Sequence, residues 1–201
     1  MNRPESIVID TSSLIALERI NLLDILCRMY REVLIPESVL QECGEVSLPC
    51  LSITRIKSNL MKLLITDLNL GKGEAEVIAL ADQKRLTVVI DDSKARRVAE
   101  NMGLKLTGTI GVLLRAEKEG LIASAYDKVK ELKEKGFYVS EKLLEDLAGF
   151  KYRKQRNPTN PTNPTNSINS WSCPYEIGHP SNLFCIILCS LGDLILSPLW
   201  G

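Results

Sequence analysis

Short runs of aliphatic residues alternate along the chain with stretches in which apolar residues recur every three or four positions. The runs at 7–10, 33–35 and 86–90 show no alternation with polar residues. Such runs are typical of strands buried on both faces of a parallel sheet, whereas the stretches between them predict helices. Strands that alternate with helices indicate a three-layer α/β/α domain with a central parallel sheet and right-handed crossovers.

The spacing of apolar residues also predicts the remaining elements. Leu14, Leu17, Ile20, Leu23 and Leu26 follow helical spacing, which predicts one helix whose apolar face belongs to the core, or partly to a dimer surface. Pro36 marks the start of the next helix. Residues 51–56 alternate like a strand, and 58–68 are compatible with either a helix or a strand. Further helices are predicted at 74–81, 93–102, 109–119, 123–135 and 140–148, and a last short strand at 104–106.

The character of the sequence changes after Arg156. Three tandem Asn-Pro-Thr triplets occupy 157–165, and no Lys or Arg follows them. We therefore expect a domain at 1–150, a disordered low-complexity linker at 151–170 and an apolar tail at 171–201 without a predicted fold. Asp193 interrupts the tail at a cost of roughly 3 kcal/mol for membrane insertion, so we expect no contact with a membrane.

Composition excludes some kinds of chemistry. The 201 residues carry a formal net charge of zero, so there is no general electrostatic argument for nucleic acid binding. Arg96 and Arg97 could contact phosphate, but a solvated helix face is the favoured interpretation. The single histidine is His179, so the first 150 residues have no imidazole for base catalysis or metal binding. Six cysteines without a Cys-x-x-Cys motif, and no signal peptide, predict a cytoplasmic protein.

Carboxylates recur at the ends of the predicted strands. Asp10 follows the first run, and Asp91 with Asp92 follows the run at 86–90. Ligands of open α/β sheets bind at this edge, and a carboxylate near a buried sheet is costly unless a positive charge meets it. Glu42 and Glu74 occupy comparable positions in or before helices. Hard oxygen ligands of this kind suit Mg²⁺ or Mn²⁺, so the set predicts metal-dependent hydrolysis.

Other interpretations compete at each acid. Asp10 could simply cap the following helix, but Thr11, Ser12 and Ser13 already offer caps, so the metal role is favoured. Glu74 could equally be a first-turn acid that complements the helix dipole. Thr109 is predicted to cap the helix after the last strand, rather than to orient a water molecule.

Five phrases of the sequence, in this order and spacing, resemble the PIN-domain family, and in particular its prokaryotic branch related to the toxins of VapBC-type toxin-antitoxin pairs. The phrases are Ile7 to Ile15, Leu34 to Glu42, Leu70 to Glu76, Val89 to Arg96 and Gly108 to Leu113. The resemblance covers about residues 6–148 and implies that the first strand and the strand before Asp91 are neighbours. Glu74 is a departure, because many toxin members carry Asp there.

The resemblance implies a metal-dependent endoribonuclease that acts on RNA and is paired with an antitoxin protein, with a homodimer left open. Carried over residue by residue, the catalytic and metal-binding set is Asp10, Glu42, Glu74 and Asp91, with Asp92 replacing or joining Asp91 as a metal ligand and Glu76 as an alternative to Glu74. Two other functions compete: a PIN-like binding module without catalysis, and a phosphoacceptor receiver domain. The second is disfavoured because its paired acids follow the first strand, whereas here the pair follows a later one.

Overall fold

The protein is described by a computed structural model that covers residues 6–44 and 46–156, with 150–156 given as helical backbone. Five strands form one parallel sheet: β1 (Ile7–Ile9), β2 (Val33–Pro36), β3 (Leu51–Thr54), β4 (Thr87–Val89) and β5 (Leu106–Thr107). The strand order is β3-β2-β1-β4-β5. This architecture confirms the predicted α/β fold with a central parallel sheet.

Nine helices accompany the sheet within the described ranges. They are α1 (Thr11–Arg19), α2 (Asp24–Met29), α3 (Glu37–Cys43), α4 (Asn59–Thr66), α5 (Lys72–Lys84), α6 (Ser93–Asn101), α7 (Thr109–Lys118), α8 (Ala125–Glu134) and α9 (Glu141–Arg156).

The strand order reverses at β1. The chain builds β2 and β3 on one side of β1 and then returns to add β4 and β5 on the other side. Ile9 pairs with Val89, and the Asp10 backbone N–H donates to the Val89 carbonyl at 3.1 Å. The residues that follow β1 and β4 therefore leave the sheet side by side, as the family resemblance implies, and this reversal is where α/β sheets bind ligands.

The core is built around β1 and α5. Ile7, Val8 and Ile9 are fully buried, which explains why this run shows no polar alternation. Residues 75–81 of α5 are all buried as well. A helix that is buried on every side is central to the domain. The packing of α5 on β1 therefore fixes the position of the helix against the sheet.

The structure corrects two details of the predicted elements and resolves a third that was left open. The single helix predicted over 14–26 is wrong: the chain breaks between α1 and α2, where Asn21 adopts the left-handed conformation (φ 54°). The apolar stripe nevertheless belongs to the core, because Leu14, Leu17 and Leu26 are buried. The ambiguous stretch at 58–68 contains the helix α4, and the last strand lies at 106–107 instead of 104–106.

The chain divides into two compact units, Met1–Gly149 and Phe150–Gly201. In the second unit the described residues are 150–156, which are helical. Helix α9 thus continues six residues past the predicted end of the domain at 150. The rest of the predicted linker and the whole predicted tail lie outside the described residues and stay predictions. Within the described part of the chain, no helix has the length and apolar character needed to cross a membrane.

A disulfide joins Cys27 on α2 to Cys50, the residue before β3. The spacing of the cysteines did not predict this pair. Cys50 also accepts the Val33 backbone N–H through its carbonyl at 2.9 Å, so the bond lies beside the pairing of β2 with β3. The disulfide therefore ties α2 to the outer half of the sheet.

We expect the double substitution Cys27→Ala and Cys50→Ala to lower the free energy of unfolding. The closed loop spans 23 residues of sequence separation, and losing a cross-link of that size costs about 3 kcal/mol. Urea denaturation of oxidised protein measures the effect, and Cys43→Ser, at a cysteine without a disulfide, is the matched control. Equal midpoints for the control and the double variant would contradict the expectation.

Candidate active site

Asp10 lies at the junction of β1 and α1. It is the N-cap of α1: its Oδ1 accepts the Ser13 backbone N–H at 2.9 Å, and its Oδ2 accepts the Ser12 hydroxyl at 2.6 Å. Only 5% of the residue is exposed. The expectation that Thr11, Ser12 or Ser13 supplies the cap is therefore wrong, because the acid takes that role itself.

The three hydroxyls that follow Asp10 each bond a different carboxylate. Thr11 Oγ1 donates to Glu42 Oε2 at 2.6 Å, Ser12 Oγ donates to Asp10, and Ser13 Oγ donates to Asp91 Oδ2 at 2.9 Å. We call Thr11, Ser12 and Ser13 the hydroxyl triplet, and Asp10, Glu42 and Asp91 the acidic cluster. The first turn of α1 thus gathers acids from three separate parts of the chain.

Asp91 is bound from a second side by the start of α7. Its Oδ1 accepts the Thr109 backbone N–H at 2.9 Å, and its Oδ2 accepts the Thr109 hydroxyl at 2.5 Å. The N-cap of α7 is Gly108, which has no side chain to offer. The predicted cap role of Thr109 is therefore wrong: Asp91 satisfies the helix terminus, and Thr109 holds Asp91.

Glycine makes this contact feasible. A Cβ on Gly108 would lie 2.6 Å from Asp91 Oδ1, a distance that real Cβ atoms do not show. Gly73 has a similar function beside Glu42, because a Cβ there would lie 3.3 Å from Oε1 and 3.4 Å from Oε2. The Glu42 carboxylate is thereby packed against the first turn of α5, at the exposed rim of the acidic cluster.

The two acids at the start of α5 have separate partners. Glu74 Oε2 accepts the Gly71 backbone N–H at 3.0 Å, so it stabilises the helix terminus in the arrangement seen here. Glu76 is buried and accepts the Ser38 hydroxyl at 2.5 Å, on α3. Glu74 is one residue from the Gly73–Glu42 contact, whereas the hydrogen bond of Glu76 is to Ser38 and not to a residue of the hydroxyl triplet.

Asp92 is placed apart from Asp91. Its Oδ1 accepts the backbone N–H groups of Lys94 and Ala95 at 2.9 and 2.8 Å, which makes it the N-cap of α6. The residue is exposed, whereas Asp91 is half-buried. Of the adjacent pair, the structure brings Asp91 to the hydroxyl triplet.

Arg96 is buried, with 6% of its surface exposed. The expectation of a solvated helix face is wrong for this residue, although Arg97 is exposed. Arg96 Nη1 donates to the Ile90 carbonyl at 2.9 Å, and the position of a Cβ on Gly108 would be 3.1 Å from Nη1 as well as close to Asp91. A buried cation therefore lies beside the acidic cluster.

Burial dominates the electrostatics of Asp10. It raises the pKa of the Asp10 carboxyl above its ordinary value; the bonds from Ser12 and Ser13 oppose this effect, and the negative charge of Asp91 adds to it. An ionised Asp10 is consequently costly at neutral pH, and a cation would relieve that cost.

The donor atoms fit a hard divalent cation in their chemistry, because the acidic cluster and the hydroxyl triplet present only oxygen. Within 6–44 and 46–156, however, no group of three or more Asp, Glu, His or Cys side chains is gathered closely enough to hold a metal ion in this arrangement. The hydroxyl triplet and Thr109 occupy the carboxylate oxygens instead. Metal binding therefore requires some of these hydrogen bonds to be exchanged.

Sequence reasoning gave other roles to five residues of the site: Thr11, Ser12, Ser13, Thr109 and Arg96. All five lie inside phrases that carry the family resemblance, so their presence was visible but their contacts were not. The signal that could have indicated the hydroxyl role is redundancy, since one helix start needs only one cap and 10–13 offers four candidates.

Comparison with known families relates the chain to one whose fold is the one described above. A family model described as a PIN domain matches residues 6–149, from β1 into α9. The match includes the acidic cluster, the hydroxyl triplet, Thr109 and Arg96. No curated protein matches the chain.

We expect Asp10→Asn to stabilise the metal-free protein at neutral pH. An acid whose pKa is raised on folding binds its proton more tightly in the folded state, so its ionisation removes stability as the pH rises through the folded pKa. Asparagine keeps the N-cap and loses the charge. The expected rise in Tm at pH 7 is about 2–4 °C, which corresponds to an increase of roughly 1 kcal/mol in the free energy of unfolding for a chain of this size.

Thermal unfolding between pH 4 and pH 8 measures this effect. The gap between Asp10→Asn and wild type should shrink as the pH falls below the folded pKa, where wild-type Asp10 is already neutral. Asp82→Asn, at an acid of α5 that pairs with Arg85, is the control and should show no such convergence. A wild type that is more stable than Asp10→Asn at pH 7 would refute the expectation.

Proposed function

The chain belongs to the PIN-domain family, whose members are usually nucleases, and we propose that it is a metal-dependent endoribonuclease. The observation that carries the proposal is the meeting of Asp10, Glu42 and Asp91 at the reversal of the strand order, each held by one hydroxyl of the triplet. Among the described residues, no Lys or Arg side chain forms an ion pair with any of the three acids, and gathering like charges in this way is costly for a purely structural role.

In this proposal Asp10, Glu42, Glu74 and Asp91 hold Mg²⁺ or Mn²⁺. Asp92 is a weaker metal ligand candidate than Asp91, because its Oδ1 is bonded to the backbone at the start of α6. A divalent ion held there would supply an activated water and offset the charge that develops on the scissile phosphate. The absence of histidine before His179 leaves carboxylates as the groups that can accept a proton.

The neighbouring residues would keep the acids in position. Ser13 and Thr109 fix Asp91 from two sides, and Thr11 fixes Glu42 at the rim. Asp10 forms the buried floor, whereas Ser12 and Glu42 are exposed. RNA would therefore approach from the side of Ser12 and Glu42, where a phosphodiester reaches the acids without entering the core.

The finer assignment is a toxin of a toxin-antitoxin pair. A cytoplasmic location is the weaker part of this assignment, because reducing compartments disfavour a disulfide such as Cys27–Cys50. The support for the toxin role is the resemblance of the five phrases to the VapBC-type branch. An antitoxin segment with a basic residue would suit the acidic cluster, because the rim at Glu42 is open. A homodimer is compatible with this assignment and is not required by it.

Two observations favour the alternative of a binding module without catalysis. Asp91 accepts three hydrogen bonds, and no three acids of the described ranges are gathered for a metal. In that case the acidic cluster would be a structural centre that binds RNA or protein at its rim.

Cleavage of RNA in the presence of Mn²⁺ or Mg²⁺ separates the two functions. We expect Asp10→Asn, Glu42→Gln and Asp91→Asn each to reduce the rate at least about 100-fold, since each removes an acid that no other group replaces. EDTA should abolish cleavage. Asp82→Asn is the charge-matched control and should cleave like wild type. Equal cleavage by all variants would refute the enzyme. The absence of cleavage together with no Mn²⁺ binding heat, or with a heat that Asp10→Asn leaves unaltered, would favour the binding module.

Asp91→Asn and Asp92→Asn decide which acid of the pair serves the metal. Asparagine at 92 keeps the cap of α6, so folding is maintained. We expect the loss of Mn²⁺ affinity, measured by calorimetry, to be about tenfold or more greater for Asp91→Asn than for Asp92→Asn. The reverse order would assign the ligand to Asp92.

A further inference from the structure

Arg96 is the one cation that the structure buries beside the acidic cluster in the described part of the chain. Its guanidinium remains charged at any pH the folded protein meets, and 94% of the residue's surface is withdrawn from water. Nη1 is anchored on the Ile90 carbonyl, immediately before Asp91. Nε is buried and has no hydrogen-bond partner among the described residues. A single hydrogen bond to a backbone carbonyl does not compensate for the desolvation of a buried charge.

The negative charge of Asp91 lies close enough to offset part of the desolvation cost of Arg96. The carboxylate and the guanidinium both approach the space above Gly108, at 2.6 and 3.1 Å from the position a Cβ would take. Burial lowers the pKa of Arg96, and the Asp91 charge opposes that effect more than Glu100 does. The two groups form no direct ion pair, so their attraction acts through space in a site with little water.

We propose that Arg96 is a built-in countercharge for Asp91. Its positive charge offsets part of the repulsion between Asp91 and the neighbouring carboxylate of Asp10. The pairing of Arg96 with Asp91 does not rest on the proposed function, because both groups meet above Gly108 in the metal-free protein.

A double-mutant cycle in the metal-free protein tests the pairing. Arg96→Met removes the charge and keeps much of the side-chain volume, while Arg97→Met removes an exposed charge from the adjacent residue. We expect Arg96→Met to raise the unfolding equilibrium constant at least about 100-fold, and Arg97→Met to change it less than about threefold. Chemical denaturation at pH 7 measures both.

The second arm repeats Arg96→Met in the Asp91→Asn background. If Arg96 offsets the Asp91 charge, the factor by which Arg96→Met raises the unfolding equilibrium constant should be at least about tenfold smaller once that charge is gone. The factor should be unchanged in the Asp82→Asn background. A coupling to Asp91 below about twofold would overturn the proposal, because Arg96 would then act through packing and the Ile90 bond alone.

Two further variants keep the test decisive if Arg96→Met does not fold. Arg96→Lys retains the charge without the guanidinium, and the pair Arg96→Met with Asp91→Asn removes both charges. The proposal expects both to fold, and failure of the neutral pair would overturn it.

Discussion

Negative charge concentrated where the strand order reverses is the constraint around which this domain is organised. Parallel pairing of β1 with β4 places Asp10 and Asp91 side by side, and like charges at short range in a partly buried site repel. Hydroxyls of α1, the N-terminus of α7 and the guanidinium of Arg96 all surround these two carboxylates. Each supplies hydrogen-bond donors or positive charge at the point where the sheet accumulates acids.

Helix N-termini also bind the carboxylates, in addition to the side chains. Asp10 caps α1, Asp91 satisfies the first N–H of α7, and Asp92 caps α6. The orphan N–H groups of helix starts need acceptors, and their partial positive charge favours anions. Three carboxylates thus stabilise three helix starts, and two of them, Asp10 and Asp91, also belong to the candidate active site. A substitution of either will change folding and chemistry together, so measured activity must be read beside stability.

The architecture could be predicted from the sequence because burial determines where apolar residues occur along the chain. Ile7, Val8 and Ile9 have no polar neighbour to alternate with, and the acids after β1 and β4 follow from the rule that parallel strands end at one edge. The contacts of the site leave no such pattern. Ser13 and Thr109 bond Asp91, which is distant from both in the sequence, and Arg96 is buried with its guanidinium on the Ile90 carbonyl. Local preference predicts caps and a solvated face for them, and tertiary contacts override it.

The hydroxyl triplet also has a consequence for how this chain can change. Successive residues on a helix are about 100° apart, so Thr11, Ser12 and Ser13 face three directions from one turn and find Glu42, Asp10 and Asp91 there. Replacing one of them removes one contact and leaves the others aligned. Inserting or deleting a single residue between β1 and α1 rotates all three at once. The junction is therefore tolerant of altered side chains and intolerant of altered length.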